Sequence, residues 1–149
     1  MLGFGDKAVE FFRMINPIEH SKTKDSVMKY KVEPYVIPAD VYGQGNLAGR
    51  GGWTWYTGSS SWMYIAGIKY ILGLNIENGY MFFKPHVSKD WKEYSIKLKI
   101  DETIYHIKFI SSDDLDNGNI KVVLNGENVE EGKIKLENSR SINEVEVYF

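Results

Sequence analysis

The stretch "SSSWMYIAGIKYILGL", Ser59 to Leu74, decides how this chain is organised. It is apolar nearly all round, with Lys69 the main exception, and it is long enough for about three to four helical turns. Serines stand ready to cap its start, at Ser59 or Ser60, and Gly73 stands ready to end it. A helix of this kind is predicted to be buried on most sides. After Leu74 the hydrophobic period changes from helical to two. "YSIKLKI" alternates Ile96, Leu98 and Ile100 against Ser95, Lys97 and Lys99. "TIYHIKFI" places Tyr105, Ile107 and Phe109 on one face, with Ile104, His106, Lys108 and Ile110 on the other. "NIKVVLNGENV" holds an Asn-Gly turn between two strand-like runs, a strong hairpin signal. "KIKLE" and "NEVEVYF" alternate again, and short strands between turns predict an antiparallel sandwich. The reading is therefore α+β, with a helical segment over 1–75 and a β domain over 76–149.

Upstream, "GDKAVEFFRMINP" predicts one helix, capped by Asp6, with Ala8, Phe11, Phe12 and Ile15 as its apolar face. Asn16-Pro17 stops it. "SKTKDSVMKYKVEP" permits a second, weaker helix ended by Pro34. "PYVIPADVYG" reads as extended, because proline pushes the residue before it away from helix. A buried helix in so small a helical segment implies partners beyond the segment itself: a longer protein, or an assembly.

Composition narrows the function classes. The 149 residues suffice for one ordinary domain or two small units, and 43% hydrophobic content supplies a core. A net charge of −2 gives no reason to expect nucleic acid or an anionic membrane as partner. The acidic excess lies in the second half, which carries ten basic and fourteen acidic side chains against eight and six in the first. Cysteine is absent, and the three histidines, His20, His86 and His106, have no zinc-site spacing, so no metal site is expected. No apolar run would span a bilayer, and "MLGFGDKAVEFF" carries charge inside its apolar stretch. The expectation is a cytoplasmic chain.

The chemistry concentrates in "GRGGWTWYTGSSSW", Gly49 to Trp62, where three glycines precede Trp53 and Trp55, and the run closes on Trp62. Glycine allows positive φ and close approach of backbone to a ligand. "YTGSSS" opens a helix, and a helix N-terminus presents unpaired amides to an anion such as phosphate. Thr57, Gly58 and Ser59 are the phosphate candidates, with Arg50 as a nearby cation. Tryptophan faces suit the apolar faces of sugar rings, which makes Trp53 and Trp55 candidate walls. Glu33, before Pro34-Tyr35, is a candidate acceptor for sugar hydroxyls. A second reading stands beside each. The tryptophans serve as plain core aromatics, Thr57-Gly58-Ser59 as a helix cap, and Glu33 as a surface carboxylate. No nucleophile motif of the Gly-x-Ser-x-Gly type occurs, and nothing pairs Asp40 or Glu19 as an acid.

"YKVEPYVIPADVYG", followed by "GRGGWTWYTGSSSWMYIAGIKYILGL", resembles the C-terminal part of glycoside hydrolase family 94. That family contains cellobiose, chitobiose and β-1,2-oligoglucan phosphorylases and supplies the C-terminal module of cyclic β-1,2-glucan synthases. "GRGGWTWYTGS" looks closest to the synthase branch. "GDKAVEFFRMINPIEH" and "KPHVSKDWKEYSIKLKI" fit the flanking stretches. The resemblance implies the closing helices of an (α/α) barrel followed by an antiparallel jelly-roll-like β-sandwich. It implies inverting phosphorolysis with inorganic phosphate as co-substrate, no other cofactor, and a β-glucan oligosaccharide as ligand. It carries phosphate contact to Thr57 and Gly58, and sugar contact to Glu33. Ile37 stands where cellobiose-acting relatives can carry tyrosine, which argues against cellobiose. None of Asp6, Asp40 or His20 matches the family's general acid, phosphate-binding arginines or histidine, so no catalytic residue is assigned. The expectation is a C-terminal fragment, inactive alone, that carries part of the binding site and meets an upstream barrel polypeptide or a second copy. The alternative is a non-catalytic binding or structural module that self-associates or packs on a partner.

Overall fold

The computed structural model describes residues 4–33, 35–55, 58–113, 115, 119–139 and 141–149. The chain forms two compact units, Met1–Gly67 and Ile68–Phe149, and the fold class is α+β.

The first unit begins with α1, Gly5–Ile15. Phe4 occupies its N-cap without a side-chain cap bond, and the expected cap, Asp6, lies inside the first turn. There its carboxylate faces the positive end of the helix dipole. Asn16 turns extended (ψ 121°), as the residue before a proline must, and ends the helix. A short 3₁₀ turn, Glu19–Ser21, leads to α2, Lys24–Tyr30. Thr23 caps α2 reciprocally: Ser26 N–H donates to Thr23 Oγ1 at 3.1 Å, and Thr23 N–H to Ser26 Oγ at 3.0 Å. Lys31 closes it in the left-handed region at φ 53°. Tyr30, Val32 and Val36 form the unit's small core, with Val41 against it, and His20 stacks on Tyr30 at 4.5 Å between ring centroids.

The chain then makes a narrow hairpin, β1 (Asp40–Val41) against β2 (Gly51–Gly52), and enters α3, Ser59–Ile65. Gly58 sits at the N-cap of α3, so Ser59 is the first helical residue rather than its cap. The burial expected of this helix is not found. Trp62 and Tyr64 are each 69% exposed. The expected apolar face of α1 is also open, with Phe11 and Ile15 exposed and Val9 the residue that is buried. A core built on three residues covers too little surface to bury two amphipathic helices.

The helix continues as a wider, π-helical stretch, Ala66–Ile71, through which the division into units runs. Gly73 follows at φ 80°, where an added Cβ would overlap the Lys84–Pro85 backbone. The second unit then forms β3 (Leu74–Glu77), β4 (Tyr80–Phe83), β5 (Glu93–Ile100), β6 (Thr103–Ile110), β7 (Lys121–Leu124), β8 (Glu127–Asn128), β9 (Lys133–Lys135) and β10 (Ile142–Tyr148). The Asn125-Gly126 turn joins β7 to β8 with both residues at positive φ, as its sequence predicts. Two sheets result, one ordered β5-β6-β10-β7-β8, the other β3-β4-β9. The expected antiparallel pairing has one exception. β10 runs parallel to β6 and antiparallel to β7. β6 and β7 run in opposite directions, so any strand filling the gap between them must be parallel to one. The sheet is mixed for that geometric reason.

Both sheets contribute to one core. Leu74, Met81, Phe83 and Ile134 come from the three-stranded sheet, and Tyr105, Ile107, Phe109, Val122, Val145 and Val147 from the other. The face of β6 read from alternation as apolar is the buried one. Tyr94 stacks on Phe109 at 4.4 Å, and its hydroxyl donates to the Leu72 carbonyl at 2.8 Å. Burial pushes its phenol well above the ordinary value. Thr103, fully buried, donates to the Glu137 carbonyl at 2.8 Å and accepts from Ser139 N–H at 3.0 Å, which fastens the segment between β9 and β10. Among the described residues, no helix is long and apolar enough to cross a membrane.

Candidate functional site

The glycines of the Gly-Trp loop are explained first by close packing within the chain. A Cβ on Gly51 would overlap Val32 Cγ2, and one on Gly52 would overlap Asp40 Oδ1. The hairpin closes through Tyr42 N–H to the Arg50 carbonyl at 2.9 Å and Gly49 N–H to the Tyr42 carbonyl at 2.7 Å. Glycine here lets β2 lie flat against β1 and the Tyr30–Val32 core.

Immediately beyond, the backbone enters a conformation that bulky residues rarely adopt. Trp53 stands at φ 51° and Trp55 at φ 63°. Both rings face outward, 71% and 64% exposed, so neither tryptophan is a core aromatic, and Trp62 is not one either. The two tryptophans, at alternate positions of the loop, thus combine a positive-φ backbone with exposed side chains.

Trp55 has fixed partners. Its indole Nε1–H donates to Glu33 Oε1 at 3.2 Å, and Tyr35 meets its ring edge-on at 5.7 Å. Glu33 is half-buried rather than a surface carboxylate, and its second oxygen, Oε2, is buried with no hydrogen-bond partner among the described residues. Glu33 and Trp55, each a sugar candidate in the sequence, are thus in contact, with Tyr35 as a third member that sequence reading did not pick out. The signal for Tyr35 was present in Glu-Pro-Tyr, an aromatic two residues beyond the carboxylate. Trp53 lies beside this group in sequence and shares its exposure.

Gly58 takes φ 91° at the head of α3, and its carbonyl accepts Trp62 N–H at 2.9 Å. An added Cβ would meet only Trp62 Cδ1, at 4.0 Å, so the left-handed backbone and not crowding selects glycine. Ser59 Oγ donates to the Ile37 carbonyl at 3.2 Å, which ties the helix start to the segment that follows Glu33. Arg50 is exposed beside the hairpin. Thr57 lies outside the described residues. Among the described residues, no group of three or more His, Asp or Glu side chains could hold a metal ion.

Residues 1–73 match the family described as glycosyl hydrolase 94 superfamily, catalytic domain. The cyclic beta-(1,2)-glucan synthase NdvB of Rhizobium meliloti (strain 1021) is 43% identical over 102 residues, which is 68% of this chain and 4% of that protein. The N,N'-diacetylchitobiose phosphorylase of Vibrio proteolyticus is 30% identical over 149 residues, 98% of this chain and 18% of that protein. Its counterpart from Vibrio furnissii is 28% identical over 130 residues, 87% of this chain and 16% of that protein. The chain therefore spans less than one fifth of the length of these relatives. Residues 1–73, which hold the hairpin, the exposed tryptophans and Glu33, are the part of this chain that matches the glycosyl hydrolase 94 superfamily.

Proposed function

We propose that this chain supplies part of the sugar- and phosphate-binding surface of an inverting glycoside phosphorylase or cyclic-glucan-synthase module. Glu33 receives a sugar hydroxyl, Trp53 and Trp55 wall the sugar, and Thr57, Gly58 and Ser59 receive phosphate. One observation carries the reading: Glu33 Oε2 is buried without a partner among the described residues while Trp55 holds Oε1. A buried acceptor left unmatched costs about 1–3 kcal/mol, and a hydroxyl donor arriving between aromatic faces removes that cost.

The chemistry divides accordingly. In phosphorolysis the nucleophile is already an anion, so no base has to activate it; it has to be held against the glycosidic carbon. The left-handed Gly58 turn and the start of α3 suit that holding role. Protonation of the leaving oxygen requires a carboxylic acid. No acid of this chain matches that role in sequence, so the acid comes from a polypeptide that completes the site. Without it, roughly 10²–10⁴-fold of rate is absent. The exposed apolar faces of α1 and α3 support the same picture, as closing helices of an (α/α) barrel whose other helices would cover them. The two sheets sharing one core support a jelly-roll-like sandwich as the terminal domain.

A second reading rests on the same exposed residues. Phe11, Met14, Ile15, Trp62 and Tyr64 form the kind of apolar surface through which a non-catalytic module would self-associate. Sedimentation analysis separates the two readings: a monomer that gains mass only with a barrel polypeptide favours the first, and a stable homo-oligomer favours the second.

Titration of inorganic phosphate and a linear β-1,2-linked glucose tetrasaccharide into the chain tests the site. The tetrasaccharide should move the Trp55 indole signal, and phosphate should move the amides of Gly58 and Ser59. Silence of these signals at about 10 mM ligand, a concentration that saturates even millimolar sites, would sink the proposal.

A further inference from the structure

We infer that the second unit carries its own binding site for a neutral oligosaccharide, on the outer face of the β3-β4-β9 sheet. A cleft of about 470 Å³ opens there. That volume lies within the range of small-ligand sites. Its floor is β4. Met81 points inward and is fully buried, so its neighbours Tyr80 and Phe82 both project to the other side, about 7 Å apart along the strand. Lys84 lies against the Phe82 ring, 5.5 Å from its centroid, while Tyr80 is left 43% exposed. Tyr80 is thus the ring that a sugar face can stack on.

The rim decides the ligand class. Glu77 and Glu131 supply acceptors, Lys84 and Lys133 supply donors, and Asn78 supplies both. Two carboxylates and two ammoniums line the cleft, so its rim is not of one sign. Lys69 Nζ, at 2.9 Å from Glu77 Oε1, holds that carboxylate in place and leaves its second oxygen for another donor. Balanced donors and acceptors around an aromatic ring match a ligand that is uncharged and hydroxylated on every side. All these residues lie within the second unit, so the site is independent of Glu33 and Trp55.

The test is amide-resolved NMR on the whole chain, titrated with the linear β-1,2-linked glucose tetrasaccharide in phosphate-free buffer. Saturable shifts are expected at Asn78, Tyr80, Phe82 and Lys133. Tyr80→Ala should weaken this binding about fivefold or more, and Tyr80→Phe, which keeps the ring, should preserve it. Glu131→Gln, at an exposed turn, removes a charged acceptor without touching the sheet and should weaken binding about threefold. Absence of saturable shifts at these amides, or equal affinity in Tyr80→Ala and Glu131→Gln, overturns the inference. So does a response of Lys84 and Lys133 to inorganic phosphate with none to sugar, which would make the cleft an anion site. Sugar binding at Trp55 without binding at Tyr80 overturns this inference alone, and the converse overturns the proposed function alone.

Discussion

Glu33 and Trp55, 22 residues apart, are joined by an indole N–H to carboxylate bond of 3.2 Å that leaves the other carboxylate oxygen buried and unmatched among the described residues. The pairing orients both groups at once. The indole cannot swing away without releasing Oε1, and the carboxylate cannot turn without breaking the bond that positions it.

Replacing the carboxylate should therefore separate binding from folding. In Glu33→Gln one oxygen remains to accept from Trp55, and an amide NH₂ takes the place of the unmatched Oε2. Affinity for the β-1,2-linked tetrasaccharide is expected to fall about tenfold, because the group facing the ligand changes from acceptor to donor. Calorimetry reads the affinity, and the Tyr30 and His20 ring signals report whether the first unit stays folded. Unchanged affinity would remove Glu33 from the site.

The glycine hairpin predicts a graded series. Gly51→Ala drives a methyl into Val32, and overpacking of this kind costs roughly 1–3 kcal/mol. Gly79→Ala, in the turn between β3 and β4, meets nothing within 4 Å and carries only the strain of φ 78°. That strain is worth about 1 kcal/mol. Urea unfolding followed by signals of the respective unit should rank the first as the larger loss. Equal losses would mean that Val32 yields and that Gly51 is not chosen for close packing.

The strands were legible because a two-residue period needs only neighbours in sequence to declare a face: Tyr105, Ile107 and Phe109 are buried, and Ile104, His106 and Lys108 are less so. Strand partnership carries no such local mark, and the parallel alignment of β10 with β6 follows from which gap the last strand fills. The cover of α3 is illegible for a related reason. Apolar residues around a helix state what it would bury, not whether this chain supplies the cover. At the candidate site, the residue types of the Gly-Trp loop pointed to a ligand. The unmatched Oε2 of Glu33 and the edge-on Tyr35 arise only when segments far apart in sequence meet.

Thr103 offers a test of the second unit's polar interior. Its buried hydroxyl satisfies one carbonyl and one amide, at Glu137 and Ser139. Thr103→Val keeps the shape and strands both groups, an expected loss of about 1–3 kcal/mol, while Thr103→Ser should keep most of the stability. Thermal or urea unfolding of the two variants decides it; a Val variant as stable as the Ser variant would show that water replaces the hydroxyl there.

Tyr94 sets a direction for alkaline behaviour. Its phenol is raised above the ordinary value of 10.0 by burial, since the phenolate would be charged in an apolar surround. Tyr30 is raised for the same reason. Above pH 10 the unfolded chain therefore binds fewer protons than the folded one, and stability falls as pH rises. The stabilisation is complete below pH 10 and is lost progressively as the pH climbs from there toward the folded-state value. Tyr94→Phe forfeits the bond to the Leu72 carbonyl, about 1 kcal/mol at neutral pH, but removes one titrating phenol. Its curve of unfolding free energy against pH should start lower than that of the parent chain and descend less steeply between pH 10 and 11. Parallel curves in that window would mean that Tyr94 ionises as freely in the folded chain as in the unfolded one. The stacked contact with Phe109 would then lie open to water rather than inside the core.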